Sequence, residues 1–463
     1  MSSLPSRPAS RLAATPAFLI DLVLVVGLAA CGGGGGGTTI ATAPPPDTSA
    51  APSSAQGPGV ATPPPSAPAP AGSPAPAPAP QAATPSPSPP PPAPAPAPTP
   101  VAGAIAASFS FVVLDASGGT GSAHINASGQ VAFTSAPQRQ FHGFFFDGSG
   151  LQPVAGGATA SANAVDAQGR VTGTLTDANG DARAFAWDSR TQAVTLIATP
   201  AGTSSTGSGI NSAGQVCGTR TGAGSFPSAM RWTPGTQAIE TLASLGGGPS
   251  ATALEIALAI NASGVVGGMS TTPSGSVHAV LWAPGAPVRD LGTLGGINSS
   301  FAGLNDANQV IGQAEFPAGV LRAFRWTEVD GMQALGTLGG ALSTASGINA
   351  NGWIAGASTD AGGNLLAFLW RDGAMQSLGT LGGPSSNAFA INDAGQVAGN
   401  ASTAAGVGHA FVWSASDGMV DLNTRLQGDS PPLLQSVIAL ADNGAMVVQS
   451  TGGLVLLQPG PAP

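Results

Sequence analysis

The 463-residue chain has little charge and no tyrosine. Only 8% of its residues are charged, and 13 Lys and Arg against 22 Asp and Glu give a formal net charge of −9. An acidic chain of this kind presents no basic surface for phosphates, which argues against a nucleic-acid partner. Two cysteines are too few for a disulfide-stapled scaffold or a cysteine-based zinc site.

Glycine and proline are abundant instead, with 68 and 43 residues. Together they make up more than a fifth of the chain, and they favour turns and short strands over long helices. The composition therefore excludes a coiled coil and a helical bundle. It favours an all-β fold joined to a proline-rich linker.

Residues 1–31 have the features of an export signal. Arg7 and Arg11 supply a basic start, and Leu22 to Ala30 form an apolar run (LVLVVGLAA). Its length fits the roughly 7–15 residues of a signal-peptide core and falls short of the about 20 residues that span a bilayer. We begin the core after Asp21, because a carboxylate inside the apolar run opposes membrane insertion.

The apolar run ends in Leu28-Ala29-Ala30-Cys31, which resembles the lipobox of bacterial lipoproteins. The resemblance implies that Cys31 carries the lipid anchor and becomes the first residue of the mature chain. An alternative is a buried apolar helix with an incidental cysteine, but the glycine run from Gly32 to Gly37 gives such a helix nothing to pack on. Gly32 after the cysteine suggests transport to the outer membrane, so we expect an exported cell-envelope protein held at the membrane by its lipid.

Residues 32–101 contain the glycine run and then a Pro/Ala-rich segment. Residues 41–100 hold 24 of the 43 prolines, and such alternation favours polyproline II. A segment of this composition cannot bury a core. We predict a disordered linker that acts as a stalk, with a proline-rich ligand for a partner domain as the alternative.

Residues 102–463 form a tandem array. The segment Leu-Gly-Thr-Leu-Gly-Gly occurs three times, at residues 291–296, 335–340 and 378–383, and each copy leads into an Asn motif, a short apolar run and an aromatic run. Alignment on the Asn position gives eight units spaced 40 to 50 residues apart. The aligned residues are Asn126, Asp166, Asn211, Asn261, Asn305, Asn349, Asn392 and Ala441.

The fourth position of each Asn motif predicts a tight turn with a positive φ. It is glycine in seven units, and the exception is Asn308, the residue type that best tolerates this conformation after glycine. The eight residues are Gly129, Gly169, Gly214, Gly264, Asn308, Gly352, Gly395 and Gly444.

Each unit holds four apolar runs separated by turn signals, which predicts four short strands in about 44 residues. Radial repetition of such units is typical of a β-propeller. We predict about eight blades, with seven as the alternative. Phe109 to Leu114 matches the Leu-Gly-Thr-Leu strand expected after each Trp, and the last unit stops at Leu454 to Leu457. The N-terminal strand is therefore predicted to complete the eighth blade and close the ring.

The aromatic runs, together with the Gly-Ile-Asn and Leu-Gly-Thr-Leu-Gly-Gly segments, resemble the HAF-repeat family of bacterial extracellular proteins. The resemblance covers roughly residues 109–457. It implies export and a repeat fold and brings no catalytic residues. The runs that carry it are residues 184–187, 229–232, 279–282, 323–326, 367–370 and 409–413.

Few residues indicate chemistry. His142, His278 and His409 occupy the same position of different units, so we expect them on separate blades, and His124 stands alone. A histidine metal site needs converging ligands, and we expect neither a metal nor a cofactor. The fragment from Asp177 to Asp181 resembles the start of a calcium loop but lacks the distal acid, and its Asn-Gly is a hairpin signal.

Two further residues break the repeat pattern. Cys217 occupies a small-residue position of the second strand, where we expect a core residue. Trp353 stands where Gln or Arg is usual. It is a candidate for stacking on a ligand if it points outward, and packing against a neighbouring loop is the alternative.

The leading hypothesis is a non-catalytic, monomeric, lipid-anchored propeller that binds an unidentified protein or glycan at the cell envelope. The alternative is a propeller enzyme, a hydrolase or lyase, with residues from several blades around the axis. The low charge content favours the binding protein over the enzyme.

Overall fold

The computed structural model describes residues 103–117, 122–137, 140–157, 159–200, 202–222, 226–236, 238–247, 254–428 and 430–460. These residues belong to one compact unit, residues 93–463. The predicted signal peptide, Cys31 and the whole of the predicted linker lie outside the described residues.

The described chain is built from 32 strands. It begins with β1 (Phe109–Asp115), and the next sixteen strands form four blades in chain order. They are β2 (Ala123–Ile125), β3 (Val131–Ser135), β4 (His142–Phe146) and β5 (Leu151–Pro153); β6 (Ala160–Val165), β7 (Arg170–Thr176), β8 (Ala182–Asp188) and β9 (Val194–Leu196); β10 (Ser204–Ile210), β11 (Val216–Thr221), β12 (Pro227–Trp232) and β13 (Ile239–Thr241); β14 (Glu255–Ile260), β15 (Val266–Thr271), β16 (Val277–Trp282) and β17 (Arg289–Asp290).

The remaining strands form blades five to eight. Short 3-10 turns occur at Val154–Gly157, Pro317–Gly319 and Leu422–Thr424. The strands are β18 (Ser299–Leu304), β19 (Val310–Glu315), β20 (Leu321–Thr327) and β21 (Gly331–Ala334); β22 (Gly339–Ile348), β23 (Ile354–Asp360), β24 (Leu365–Arg371) and β25 (Ala374–Ser377); β26 (Gly382–Ile391), β27 (Val397–Thr403), β28 (Gly408–Ser414) and β29 (Gly418–Asp421); and β30 (Leu434–Leu440), β31 (Met446–Ser450) and β32 (Gly453–Pro459).

The blades close into a ring. Each is a four-stranded antiparallel sheet, and the first strand of every blade contacts the first strands of both neighbours, including β30 of the last blade against β2 of the first. First strands therefore lie innermost and fourth strands outermost. The predicted all-β propeller with eight blades is confirmed, and the seven-bladed alternative is wrong.

The ring is closed by the N-terminal strand, as predicted. β1 pairs antiparallel with β32 from Phe109 opposite Pro459 to Asp115 opposite Leu454, and the sheet order is β1-β32-β31-β30. Phe109 and Leu114 are buried, with 2% and 5% of their surface exposed. The eighth blade thus takes three strands from the C-terminal end of the described chain and its outermost strand from the N-terminal end.

The Leu-Gly-Thr-Leu segments are not strands, which corrects the prediction. In blade five the outer strand β21 ends at Ala334, and only Leu335 continues the pairing, its N–H donating to the Ala323 carbonyl at 2.9 Å. Gly336 then takes a positive φ of 83° and the chain leaves for the next blade. These segments connect an outer strand to the following inner strand, and their first leucine anchors the connection in the core.

The hydrophobic cores lie mainly between neighbouring blades. In one of them Phe324 and Trp326 of blade five pack with Leu281 and Leu291 of blade four. Burial of a side chain of this size contributes about 1.5–3 kcal/mol. Each blade is therefore held chiefly by its neighbours, which gives the closure of the ring its importance for stability.

The predicted positive φ is present in all eight Asn motifs. The seven glycines have φ between 75° and 85°, and Asn308 has φ of 58°. A second constraint acts at Gly395, where a Cβ would lie 2.5 Å from the Trp353 ring. Conformation and space both exclude a side chain there.

We expect Gly395→Ala to destabilise the protein by about 2–5 kcal/mol, because the left-handed backbone costs about 1–2 kcal/mol and overpacking against Trp353 adds about 1–3 kcal/mol. The matched control is Gly363→Ala, since Gly363 has a similar φ of 84° but nothing near its Cβ position. Urea unfolding of both variants measures the difference. Equal losses would contradict the packing of Trp353 on this turn.

Candidate functional site

A buried asparagine follows the inner strand in six of the eight blades, and these asparagines form the hub of the ring. Asn349 shows the pattern: its Oδ1 accepts the N–H groups of Asn351 and Trp353 at 3.1 and 2.9 Å, and its Nδ2 donates to the Asn392 carbonyl of the next blade at 3.0 Å. The side chain therefore caps its own turn and binds the neighbouring blade. The turn was predicted from the sequence, whereas the bond between blades was not.

The same bond to the next blade recurs around the hub, with distances of 2.9–3.2 Å, from Asn126, Asn211, Asn261, Asn305 and Asn392. In blade two the side chain of Asp166 has no N–H to donate. Arg170 replaces the amide, pairing with Asp166 and donating to the Ser212 carbonyl at 2.7 Å. Ala441 in blade eight carries no polar side chain, so the ring of side-chain bonds is interrupted between the last blade and the first.

The exception at Asn308 has a structural cause in the preceding blade. A glutamine four residues after the hub asparagine usually accepts from its Nδ2, as Gln309 does from Asn305 at 2.9 Å. In blade four this position is Val265, and Asn308 of blade five supplies the missing acceptor to Asn261 at 2.7 Å. The asparagine thus tolerates the turn conformation and also replaces the glutamine.

Trp353 is buried, with 5% of its surface exposed. It packs in the core between blades six and seven, with Gly395 against its ring and the Arg371 guanidinium 5.2 Å from the ring centroid. The indole offers no open face to a sugar or peptide. The stacking interpretation is therefore wrong, and packing against a neighbouring loop describes what is observed.

The inner strands bring mostly aliphatic side chains to the hub. The residue before each hub asparagine or its equivalent is a branched aliphatic: Ile125, Val165, Ile210, Ile260, Leu304, Ile348, Ile391 and Leu440. His124 of β2 occupies the next position along, where the other blades have Gly or Ala. Desolvation by burial lowers the pKa of His124 to about 4, so this imidazole is uncharged at neutral pH.

Glu255 begins the inner strand of blade four and is buried. Its Oε1 accepts from Ser244 at 2.9 Å, whereas its Oε2 has no partner among the described residues. Desolvation by burial raises the pKa of this carboxyl. Sequence reasoning missed this residue, because the period of the repeat does not mark it.

The three histidines of the third strands lie on separate blades, as predicted. Two of them pair across to the outer strand of the same blade: His278 Nδ1 lies 2.9 Å from the Asp290 carboxylate, and His409 Nδ1 lies 2.6 Å from that of Asp421. These pairs occupy blades four and seven and do not meet.

The residues that resembled a calcium loop form a hairpin turn. Asp177 and Asp181 both pair with Arg183, at 2.9 Å each, and Gly180 takes the positive φ. Within the described parts of the chain, no three His, Cys, Asp or Glu side chains converge as metal ligands would. Cys217 is a core residue, and burial raises the pKa of its thiol to about 12.

Shallow polar clefts occur between blades. One, of about 420 Å³, lies at the junction of blades eight and one, where the hub bonds are interrupted, and is lined by Ser128, Asp147, Asn443 and Gln458 among others. Another, of about 290 Å³, lies between blades five and six. Both are on the face that carries the Asn motifs. Among the described residues, no helix is long and apolar enough to cross a membrane.

The sequence matches no protein-family model and no curated protein. Among solved structures the chain is similar to Porphyromonas gingivalis dipeptidyl peptidase 4, with 8% identity over 69% of this chain and 55% of that chain and a TM-score of 0.46. It is also similar to TolB from Acinetobacter baumannii, with 13% identity over 74% and 79% and a TM-score of 0.33.

A third similar structure is the β-propeller domain of the Trilobed protease from Pyrococcus furiosus, with 10% identity over 70% of this chain and all of that chain and a TM-score of 0.39. The chain spans about half the length of the peptidase that it matches. These similarities carry no argument about activity, ligand or partners. The resemblance to HAF-repeat proteins stays a prediction.

Proposed function

We propose that this chain is an exported, lipid-anchored propeller, displayed on its proline-rich stalk, that binds a protein or glycan at the cell envelope without catalysis. The observation that carries the binding role is the presence of open polar clefts between blades on one face of a closed ring. Side chains that line clefts at the junctions of repeats can differ from blade to blade without disturbing the buried core of the ring.

The state of the exposed carboxylates supports a non-catalytic role. Hydrogen bonds within turns lower the pKa of Asp147, Asp360 and Asp417, chiefly bonds from the side chains of Ser149, Asn364 and Ser414. A lowered pKa keeps these groups ionised as acceptors. A general acid at neutral pH needs the opposite shift.

Glu255 favours the alternative function, a hydrolase or lyase with an axial site, because burial raises the pKa of a carboxyl on an inner strand. The two functions differ in a direct assay. If the chain is an enzyme, turnover of an ester, peptide or glycoside is abolished by Glu255→Gln. A binding protein retains ligands in a pull-down with purified envelope glycans and proteins. It shows no turnover that depends on Glu255.

The anchor is tested by Cys31→Ser. We expect this change to move the protein from the membrane fraction to the soluble fraction, because the nine-residue apolar run is too short to span a bilayer and the acyl chains supply about 0.8 kcal/mol per buried methylene. Ultracentrifugation of lysates with immunodetection measures the distribution. Ala30→Gly, a small-for-small change beside the cysteine, is the control that keeps the anchor. Membrane retention of Cys31→Ser defeats the lipoprotein assignment.

A further inference from the structure

The cleft between blades five and six contains an arginine whose Nε has no hydrogen-bond partner in the described part of the chain. Arg325 lies on β20, opposite Gln333 on β21. Its Nε is buried and has no hydrogen-bond partner among the described residues, and its guanidinium carbon lies 5.5 Å from the ring centroid of Trp370 in blade six. A buried donor of this kind is costly to leave unpaired.

Blade three shows what this strand position binds when a carboxylate is present. Arg231 lies on β12 opposite Glu240 on β13, the same register as Arg325 opposite Gln333. The Nε and Nη2 of Arg231 donate to Glu240 Oε2 at 3.0 and 2.6 Å. Two donors of one guanidinium thus bind one oxygen of the carboxylate, and charge-assisted bonds of this kind are stronger than neutral ones.

In blade five the carboxylate has been replaced by an amide that turns away. Gln333 Nε2 donates to the Asp330 carbonyl at 2.9 Å, so Gln333 provides no carboxylate for Arg325, which lines the cleft. The exchange of Glu240 for Gln333 at matched positions therefore removes an internal partner. The Arg325 guanidinium is then held in place to bind a carboxylate from outside the chain.

The other walls of this cleft suit a sugar. Trp370 is half-buried, whereas the tryptophans at the same position of other blades have at most 5% of their surface exposed: Trp187, Trp232, Trp282, Trp326 and Trp413. Thr327 Oγ1 donates to Asp330 Oδ2 at 3.0 Å, and Asp330 lines the cleft. An indole surface beside acceptors for hydroxyl groups is an arrangement that packs on a sugar ring and orients it.

We propose that this cleft, the Arg325 cleft, binds a hexuronate residue of an acidic envelope polysaccharide. The sugar carboxylate takes the place that Glu240 takes in blade three, the hydroxyls donate to Asp330, and the ring packs on Trp370. The volume of about 290 Å³ fits a single sugar unit of a longer chain. The inference rests on the proposed binding function. A peptide C-terminus offers the same carboxylate without the hydroxyl donors that Asp330 accepts.

The test measures binding of D-glucuronate, D-galacturonate and D-glucose to the full chain by saturation-transfer NMR and calorimetry. We expect at least tenfold tighter binding of a uronate than of glucose. Arg325→Met is expected to reduce the affinity for uronate at least tenfold. Gln333→Glu is expected to do the same, because it restores the internal carboxylate of blade three, and its melting temperature should equal or exceed that of the parent.

Arg322→Met is the matched control, since Arg322 lies on the same strand and contacts Phe316 outside the cleft. It should leave uronate binding unchanged. Equal binding of uronate and glucose, or parental uronate binding by both cleft variants, overturns the proposal. So does a peptide with a free C-terminus that binds tighter than uronate in an Arg325-dependent way.

A different result would contradict the proposed binding function. If the parent chain retains no envelope glycan or protein at all, the binding role itself is wrong. If it retains envelope ligands to the same extent with Arg325→Met and Gln333→Glu, the binding role stands and the Arg325 cleft is not its site.

Discussion

Deletion of residues 102–116 is expected to lower the free energy of unfolding by about 4–7 kcal/mol. The deletion removes β1, which buries Phe109 and Leu114 fully and Phe111 in part, and buried side chains of this size contribute about 1.5–3 kcal/mol each. It also removes the pairing with β32 and exposes the edge of the eighth blade. Such a loss is comparable to the whole stability of an ordinary domain.

Thermal and urea unfolding of the deletion variant measure this effect. The control is deletion of residues 38–101, which should leave the melting temperature unchanged, because a proline-rich segment of this composition buries no core. A 102–116 deletion that melts with the parent contradicts the role of β1 as the strand that closes the ring.

The second large effect is expected from Asn349→Ala, with a loss of about 2–4 kcal/mol. The change removes an acceptor for the N–H groups of Asn351 and Trp353 and a donor to the carbonyl of Asn392. Each buried polar group left unsatisfied costs about 1–3 kcal/mol. Because Asn392 belongs to the next blade, the variant weakens a turn and a junction between blades together.

Asn351→Ala is the control for this change. Its side chain donates to the Asp393 carbonyl at 3.1 Å from an exposed position, and alanine occupies the same place in other turns, as at Ala307 and Ala394. We expect a change within about 0.5 kcal/mol. Urea unfolding of both variants gives the comparison, and similar losses for both would show that the hub bonds do not stabilise the ring.

Much of the fold followed from the repeat. The spacing of the Asn motifs predicted eight blades, and the glycine series predicted the positive φ at every turn, because both features depend on local conformation that recurs in each unit. The closing strand could be predicted because the last unit lacks an outer strand and the segment around Phe109 has no other place in the array.

Contacts between blades were harder to predict. Trp353 was a candidate for ligand stacking because nothing in its own unit shows that its position lies over the turn of the next blade, at Gly395. The compensation between Val265 and Asn308 was missed for the same reason. The two residues lie 43 positions apart, and Asn308 replaces across a junction the acceptor that Val265 does not provide. A comparison of neighbouring units, rather than of aligned positions alone, would have revealed this pair.

The Arg325 cleft was also missed, although the sequence contains its signal. Alignment of the third and fourth strands sets Arg231 and Glu240 beside Arg325 and Gln333, and the change of Glu to Gln marks a cation that has lost its partner. The period alone could not show it, because arginine occupies this position in only some blades. The meaning of the exchange depends on knowing that the two strands pair in this register.

The most direct test of the closed ring is a disulfide between β1 and β32. Ser110 lies opposite Gln458, and opposite residues in an antiparallel pair have Cα atoms about 4.5–5.5 Å apart, within the range that a disulfide spans. In a soluble chain carrying Cys31→Ser, we expect Ser110→Cys with Gln458→Cys to oxidise to an intramolecular cross-link detected by peptide mass spectrometry. Ser110→Cys with Gln449→Cys, a residue one strand farther away on β31, should not. Absence of the 110–458 cross-link in the folded protein, or equal formation of both, would contradict the ring closed by its N-terminal strand.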